Sequence, residues 1–172
     1  MPQKHSTLTV TEEMIPFLLK LHKPQFNDLW FRQQMLSDEE TMSYNHSWDG
    51  TISFPEEVWN DWYNYWLVNN GDLRYYRYVK NEEGLFLGEI AYHYDDEIHH
   101  MIANVLILSR FRGKGYGGQA LDLLCDAAME HGVTVLYDDI AADNPAIQLF
   151  LTHGFTLDHR TDQKVYLKKE LS

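Results

Sequence analysis

Ser109-Arg110-Phe111-Arg112-Gly113-Lys114-Gly115-Tyr116-Gly117-Gly118 is the stretch on which the fold turns. The run before it, Met101 to Leu108, is apolar but for Asn104 and predicts a buried strand. The run after it, Gln119 to His131, has apolar residues at helical spacing and predicts an amphipathic helix. Four glycines and three basic residues therefore fall where a strand becomes a helix N-terminus. Main-chain N–H groups there lack intrahelical acceptors, and the helix dipole presents its positive end. Glycine adds close backbone approach and access to positive φ. The sum is a site for phosphate, most simply a diphosphate held by the amides of Arg112, Gly113, Lys114, Gly115, Tyr116, Gly117 and Gly118. Arg112 and Lys114 add charge to those neutral donors.

Two kinds of protein build such a site. Gly113, Gly115 and Gly118 satisfy G-x-G-x-x-G, and Asp138 and Asp139 stand roughly 20 residues further on, as a ribose-binding acid would. That reading predicts a nucleotide-dependent oxidoreductase. It needs further strand–helix units, and the chain after Gly118 is short for them. It also starts its glycine turn at the strand end, without a basic lead-in. The other reading takes Arg112, Gly115 and Gly117 as [Q/R]-x-x-G-x-G, which resembles the acyl-CoA loop of the GNAT acetyltransferase superfamily. A glycine-rich turn with a solvated basic face is the plainest alternative, and the periodicity on both flanks argues against it. A second segment supports the transferase resemblance. Asp143-Asn144-Pro145-Ala146-Ile147-Gln148-Leu149-Phe150-Leu151-Thr152-His153-Gly154-Phe155 looks like the superfamily's N-x-x-[AS]-x-x-[LF]-[YF]-x-x-x-G-F.

The rest of the chain is compatible with this. At 172 residues it is long enough for one domain with a substantial core. Its 44% hydrophobic and 23% charged residues mark it as globular. No apolar run approaches the ~18 residues of a membrane span, and MPQKHSTLTV carries no long apolar signal core. One cysteine, Cys125, excludes an internal disulfide framework and fits a packed, inert thiol. A cytoplasmic location is expected. The net charge of −12 argues against nucleic acid as main partner and favours a cationic acceptor such as an amine or polyamine. A homodimer stays open.

In order, Leu8–Val10 reads as a short strand, and Thr11 to His22 as a helix broken by Pro24. Gln25–Leu36 reads as a second helix. Ser37-Asp38-Glu39-Glu40 looks like a new helix cap, and Phe54 to Val68 as an aromatic helix closed by Asn69-Asn70-Gly71. From Arg74 the period changes to strands: Tyr75–Val79, Phe86–Tyr94 and His100–Leu108. After the glycine loop and its helix come a strand at Val133–Tyr137, a helix through His153, and two strands at Phe155–Arg160 and Lys164–Lys168. The expected fold is α/β (α+β): a mixed, mostly antiparallel sheet with one splayed strand pair and helices on both faces. Residues 1–71 would form a helical acceptor side, and 72–172 the sheet and cofactor core.

The resemblance implies acetyl transfer from acetyl-CoA to a primary amine of a small molecule, by direct attack in a ternary complex. It implies that the strand ending near Leu108 splays from Val133–Tyr137 and that the coenzyme's arm lies between them. The backbone of Leu106, Ile107 and Leu108 would hold that arm, and a strand N–H near Leu106 would stabilise the oxyanion. A tyrosine of the Asn-motif helix often protonates the thiolate in this superfamily. Here that position is Phe150, so Tyr116, Tyr137 or water would replace it. Strict alignment puts Asp143 at the Asn position, with Asn144 one step on, and either could meet the cofactor. From the residues themselves, Glu89 sits mid-strand among apolar neighbours, as a general base or substrate anchor, or as half of a structural ion pair. His99 and His100 open the central strand, with His93 and Asp95 closing the one before, and a histidine base acting through water is a second option. Tyr44, Asn45 and Trp48 form the expected acceptor wall. No tight spacing of metal ligands is present. Because of Phe150, a non-catalytic acyl-CoA-binding module or sensor remains the alternative.

Overall fold

Alternating burial along the second half of the chain settles into strands, and the helices cover the two faces those strands create. The computed structural model describes residues 18–46 and 49–172. Its strands are β1 (Lys20–His22), β2 (Arg74–Lys80), β3 (Phe86–Asp95), β4 (His100–Ile107), β5 (Val135–Ala141), β6 (Thr156–Arg160) and β7 (Lys164–Glu170). Its α-helices are α1 (Leu29–Ser37), α2 (Glu56–Tyr63), α3 (Tyr116–Glu130) and α4 (Ala146–Thr152). The sheet order is β1-β2-β3-β4-β5-β7-β6. Only β4 and β5 are parallel, with α3 as their crossover. One face of the sheet packs Ile90, Tyr92, Leu136 and Leu167 against Leu121 and Leu124 of α3 and Phe150 of α4. The other packs Tyr76, Tyr78 and Ala91 against Phe31 and Met35 of α1. This is the mixed sheet with helices on both faces that the sequence predicts.

The sheet opens in one place. β4 and β5 share only the pairs Met101↔Leu136 and Ile102↔Tyr137. Beyond them β4 continues to Ile107, paired with β3 through Gly88↔Ile107. β5 continues to Ala141, paired with β7 through Ala141↔Lys164. Each strand keeps its outer partner and loses its inner one, so a wedge-shaped gap widens towards the glycine loop.

Three expectations need correction. Lys20–His22 is not the end of a helix but an edge strand, pairing Leu21 with Val79 and His22 with Tyr78. The free edge of β2 offers a ladder that local periodicity does not foresee. The expected strand at Leu8–Val10 and the start of that helix lie outside the described residues. Ser37–Glu40 opens no helix: Asp38 accepts from the amide and hydroxyl of Thr41 and holds a series of turns instead. β5 starts two residues late, because α3 ends in Gly132 at φ +82 and Val133 still donates to the Ala128 carbonyl at 2.9 Å. The aromatic helix runs as α2 and then widens into a π turn at Asn64–Val68.

Among the described residues no helix is long and apolar enough to cross a membrane. Gly88 marks where β3 and β4 approach closely beside the gap. A methyl group there would stand 2.1 Å from the Leu106 carbonyl oxygen and 3.0 Å from the Ile107 Cα. Only a shift of the β4 main chain relieves that. Gly88→Ala should therefore cost about 2 kcal/mol of unfolding free energy, within the range for overpacking. Urea denaturation reads this out, and an unchanged midpoint would contradict the close approach.

Candidate active site

The gap is lined by main chain. The Leu108 amide donates to the Leu87 carbonyl at 2.9 Å, which makes 87 and 108 a hydrogen-bonded pair of the antiparallel ladder. Alternation then turns the polar groups of Leu106 towards Glu89 and those of Val105 and Ile107 towards the gap, while the Ala103 amide closes the last β4–β5 rung on the Tyr137 carbonyl. Of the three residues expected to present backbone to a ligand, Ile107 turns its polar groups to the gap by this register, while Leu106 and Leu108 turn theirs to β3. The Ile107 carbonyl is already capped by Arg112 Nε at 3.1 Å.

The glycine loop has the free amides its sequence suggests. Gly113 and Gly115 take positive φ, +76 and +85, and Gly115 is the residue capping α3. Among the described residues, the amides of Gly113, Lys114, Gly115, Gly117 and Gly118 donate to no protein acceptor. Tyr116 is the first residue of α3 and is engaged within the protein. Gly118 is buried, and a methyl on it would meet the His153 ring at 2.5 Å, so this glycine also permits the α3–α4 contact. Lys114 is exposed, its ammonium 6.0 Å from the Phe111 ring centroid.

Arg112 does a different job from the one its sequence position suggests. Its amide donates to Ser109 O at 3.1 Å. Its guanidinium donates to the carbonyls of Ile107, Glu40 (3.3 Å) and Thr41 (2.7 Å). The same turn is tied down twice more. Ser109 donates through its amide to Thr41 Oγ1 at 3.0 Å and through its hydroxyl to Asp38 Oδ2 at 3.1 Å. Asp38, Thr41, Ser109 and Arg112 thus latch the segment after α1 to the start of the glycine loop. Sequence reading misses this latch, because each member is an ordinary surface residue until the chain brings them together.

On the α1/α2 face lies a buried ionic cluster. Glu89 is 3% exposed and accepts from Arg32 at 2.7 Å, from the Tyr76 hydroxyl, and from Asn104 Nδ2 at 3.2 Å. Oε2 takes Arg32 and Tyr76, whereas among the described residues Oε1 takes only Asn104, an exposed residue of β4. The Arg32 guanidinium lies 4.6 Å from the Trp62 ring centroid and 5.2 Å from that of Phe54. Burial works against its charge, but Glu89 and Tyr76 outweigh burial and hold it above its ordinary range. Burial, then Glu89, drives the Tyr76 hydroxyl well up, so it stays a donor. Arg32 and Asn104 escaped the sequence reading; the available signal was a lone arginine among Trp30, Phe31 and Met35, needing a buried acid.

The other expected residues are spread out. His100 and Tyr137 meet, with stacked rings 4.1 Å apart, at the closed end of the gap. His100 is six residues along β4 from Leu106, the partner of Glu89, so it lies about 20 Å from Glu89. His93 shares the Glu89 face, against Trp66, and burial lowers its pKa. Asn144 caps α4 by accepting from the Ala146 amide at 2.9 Å. Phe150 is buried against Phe155 in the core. Asp143 meets His46 Nε2 at 3.1 Å, joining the 42–50 loop to the end of β5. In that loop Tyr44 is at the surface and Asn45 spends its side chain on the Gly50 carbonyl at 2.9 Å. Trp48 lies outside the described residues. Among the described residues no cluster of three or more His, Cys, Asp or Glu is placed to hold a metal ion.

The sequence model of the acetyltransferase (GNAT) family matches residues 18–155, and the chain belongs to that family of acetyl-CoA-dependent N-acetyltransferases. No curated protein sequence matches the chain. Among solved structures it is similar to a spermidine N-acetyltransferase from Vibrio cholerae in complex with CoA and spermine. The identity is 18% over 89% of this chain and 95% of that one, with a TM-score of 0.76. It is also similar to a protein from Salmonella typhimurium assigned as an acetyltransferase and solved with its cofactor acetyl-CoA. Here the values are 18%, 90%, 95% and 0.69. A third, from Acinetobacter baylyi and likewise assigned, gives 19%, 91%, 95% and 0.74. At these identities the likeness is one of fold. The oxidoreductase reading falls with the family match.

The latch carries a pH signature. Hydrogen bonding from Thr41, opposed by burial and aided by Ser109, holds the Asp38 carboxyl below the usual carboxylate range. A depressed folded pKa gives stability that is present above the unfolded value, about 4, and is lost as pH falls through the folded value. Asp38→Asn should thus lower Tm near neutral pH and have little effect near pH 3. An equal loss of Tm at both pH values would contradict the assignment.

Proposed function

We propose that the protein moves an acetyl group from acetyl-CoA to a primary amine of a small molecule, by direct attack with both bound. The observation that carries this is the β4–β5 ladder, which stops at Ile102↔Tyr137 while both strands run on beside free loop amides. The residues fit the coenzyme: unpartnered amides at a helix N-terminus suit a diphosphate, and a gap lined by strand backbone suits an amide-bearing arm. Bound acetyl-CoA would supply the acyl group as an activated thioester.

The amides of Gly113, Lys114, Gly115, Gly117 and Gly118 would bind the diphosphate, with the Lys114 ammonium adding charge. Arg112 would hold the loop in shape through the Glu40 and Thr41 carbonyls. The gap-facing N–H groups of Val105 and Ile107 would orient the arm and offer the oxyanion donor. Tyr137, stacked on His100, would floor the gap. Glu89 would draw the acceptor nitrogen and take its proton on Oε1, beside Asn104, while Arg32 and Tyr76 hold Oε2. Tyr44 and its loop would wall the acceptor side. The net charge of −12 and the spermine held by the Vibrio cholerae enzyme make polyamines the first acceptors to test.

Incubation with acetyl-CoA and a panel of polyamines, amino acids, aminoglycosides and peptides should release free thiol with at least one of them. Tight acetyl-CoA binding with no turnover on any amine would instead favour a binding module, which Phe150, lacking a hydroxyl, also allows. Gly115→Asp places a side chain at φ +85 and a negative charge on the phosphate site. It should weaken CoA binding about tenfold or more by calorimetry; equal affinity in the folded variant removes the diphosphate assignment. Glu89→Gln should lower kcat by about a hundredfold with CoA affinity held; an equal kcat would make Glu89 purely structural.

A further inference from the structure

One buried acid is left without a task. Asp138 is 8% exposed and sits on β5 between Leu136 and Ile140, both in the core beneath α3 and α4. Strand alternation points Asp138 to that same face. Three polar side chains are buried among the described residues: Thr41, Glu89 and Asp138. Thr41 and Glu89 each bond other side chains. No side chain among the described residues hydrogen-bonds Asp138, whose one polar contact is the backbone N–H of Asp139. A carboxyl held by a single backbone N–H in such a place is costly to keep ionised.

Its register gives it a purpose. Tyr137↔Ile102 is the last pair between β4 and β5, so Asp138 is the first β5 residue inside the gap. Across the opening stand Ala103 and Asn104 of β4. Asn104 faces the α1/α2 side, where it bonds Glu89, and Asp138 faces the opposite side. Two carboxyls therefore flank the vertex from opposite faces of the sheet. Two tyrosines, Tyr75 and Tyr92, also stand on that face, their rings stacked on each other. Phe150 there has no hydroxyl, and Tyr137 is stacked on His100 on the other face.

Burial, with the Asp139 charge next door, pushes the Asp138 carboxyl well above its ordinary range, against a small opposing effect of Lys164 on β7. The core on this face adds three titratable groups, the Tyr75 and Tyr92 hydroxyls and the Cys125 thiol, all pushed up by burial. The shift at Asp138 favours the protonated carboxyl.

We propose that Asp138 is the acid of the transfer, giving its carboxyl proton to the coenzyme sulfur as the acyl carbon–sulfur bond breaks. This rests on the acetyl-transfer reading above. The neutral amine nitrogen uses its lone pair to form the new carbon–nitrogen bond. The electron pair of the carbon–sulfur bond leaves on sulfur, which takes the Asp138 proton. The proton released from nitrogen passes first to Glu89 Oε1 and then through water to the Asp138 carboxylate. Amine and thioester become amide and thiol with no net proton change.

Asp138→Asn is isosteric and neutral, and tests this. With an amine that the wild type acetylates, kcat should fall about a hundredfold. CoA affinity should stay within about twofold, and Tm should hold or rise. The alkaline fall in the wild-type kcat–pH profile should disappear, and Asp138→Glu should restore part of the rate. A second readout needs no turnover. In carbon-13 aspartate spectra, one carboxyl signal absent from the variant should stay in the protonated position near pH 7. It should move when CoA is added and stay still with a nucleotide fragment of CoA lacking the thiol arm. An active wild type with unchanged kcat in Asp138→Asn, or a signal already ionised at pH 7, overturns this proposal alone. A wild type silent towards every amine overturns the transfer reading and this one with it. Should the Asn variant not fold, the wild-type signal, assigned through its neighbours, decides.

Discussion

The structure depends on a hydrogen-bonded ladder that stops early. β4 and β5 share two residue pairs and then part, each still anchored on its outer side. A strand edge without a partner leaves main-chain donors and acceptors unpaired, which is unfavourable away from water. The chain keeps that edge open by holding the far ends of the strands apart. The glycine loop leads β4 away into α3, and the Asp143–Pro145 turn leads β5 away into α4. The result is a slot lined by amides, with a second set of free amides at its mouth.

Two sets of side chains brace the slot. At the mouth, Asp38, Thr41, Ser109 and Arg112 tie the segment after α1 to the loop, so the loop keeps its shape without a ligand. Within the sheet, Arg32, Tyr76 and Asn104 converge on Glu89. A buried ion pair gains little net stability, since desolvation offsets the attraction. Its use here is positional: three donors fix a carboxylate beside the vertex, in an aromatic shell of Phe54, Trp62 and Tyr76.

Much of this was legible in the residues, for local reasons. Positive φ at Gly113 and Gly115, the strand before them and the helix after them are written in glycine placement and apolar period. The splayed pair came with the resemblance to the acetyltransferase superfamily that this loop carries. What escaped depends on contacts far apart in sequence. Lys20–His22 becomes a strand only because the edge of β2 is there to receive it. Arg112 looks like a phosphate ligand until the Glu40 and Thr41 carbonyls come within its reach, 72 and 71 residues away. The gap-facing residues of β4 follow from the phase of the β3–β4 ladder, which one hydrogen bond from Leu108 to Leu87 fixes and no pattern of apolar residues could.

Hydrogen exchange with and without CoA tests the central claim most directly. The account predicts that CoA slows exchange at the amides of Val105 and Ile107 and of the glycine loop at Gly113 to Gly118, and leaves β2 and β6 unchanged. Protection confined to other elements, or none within β4 despite tight binding, would contradict a coenzyme arm lying between β4 and β5.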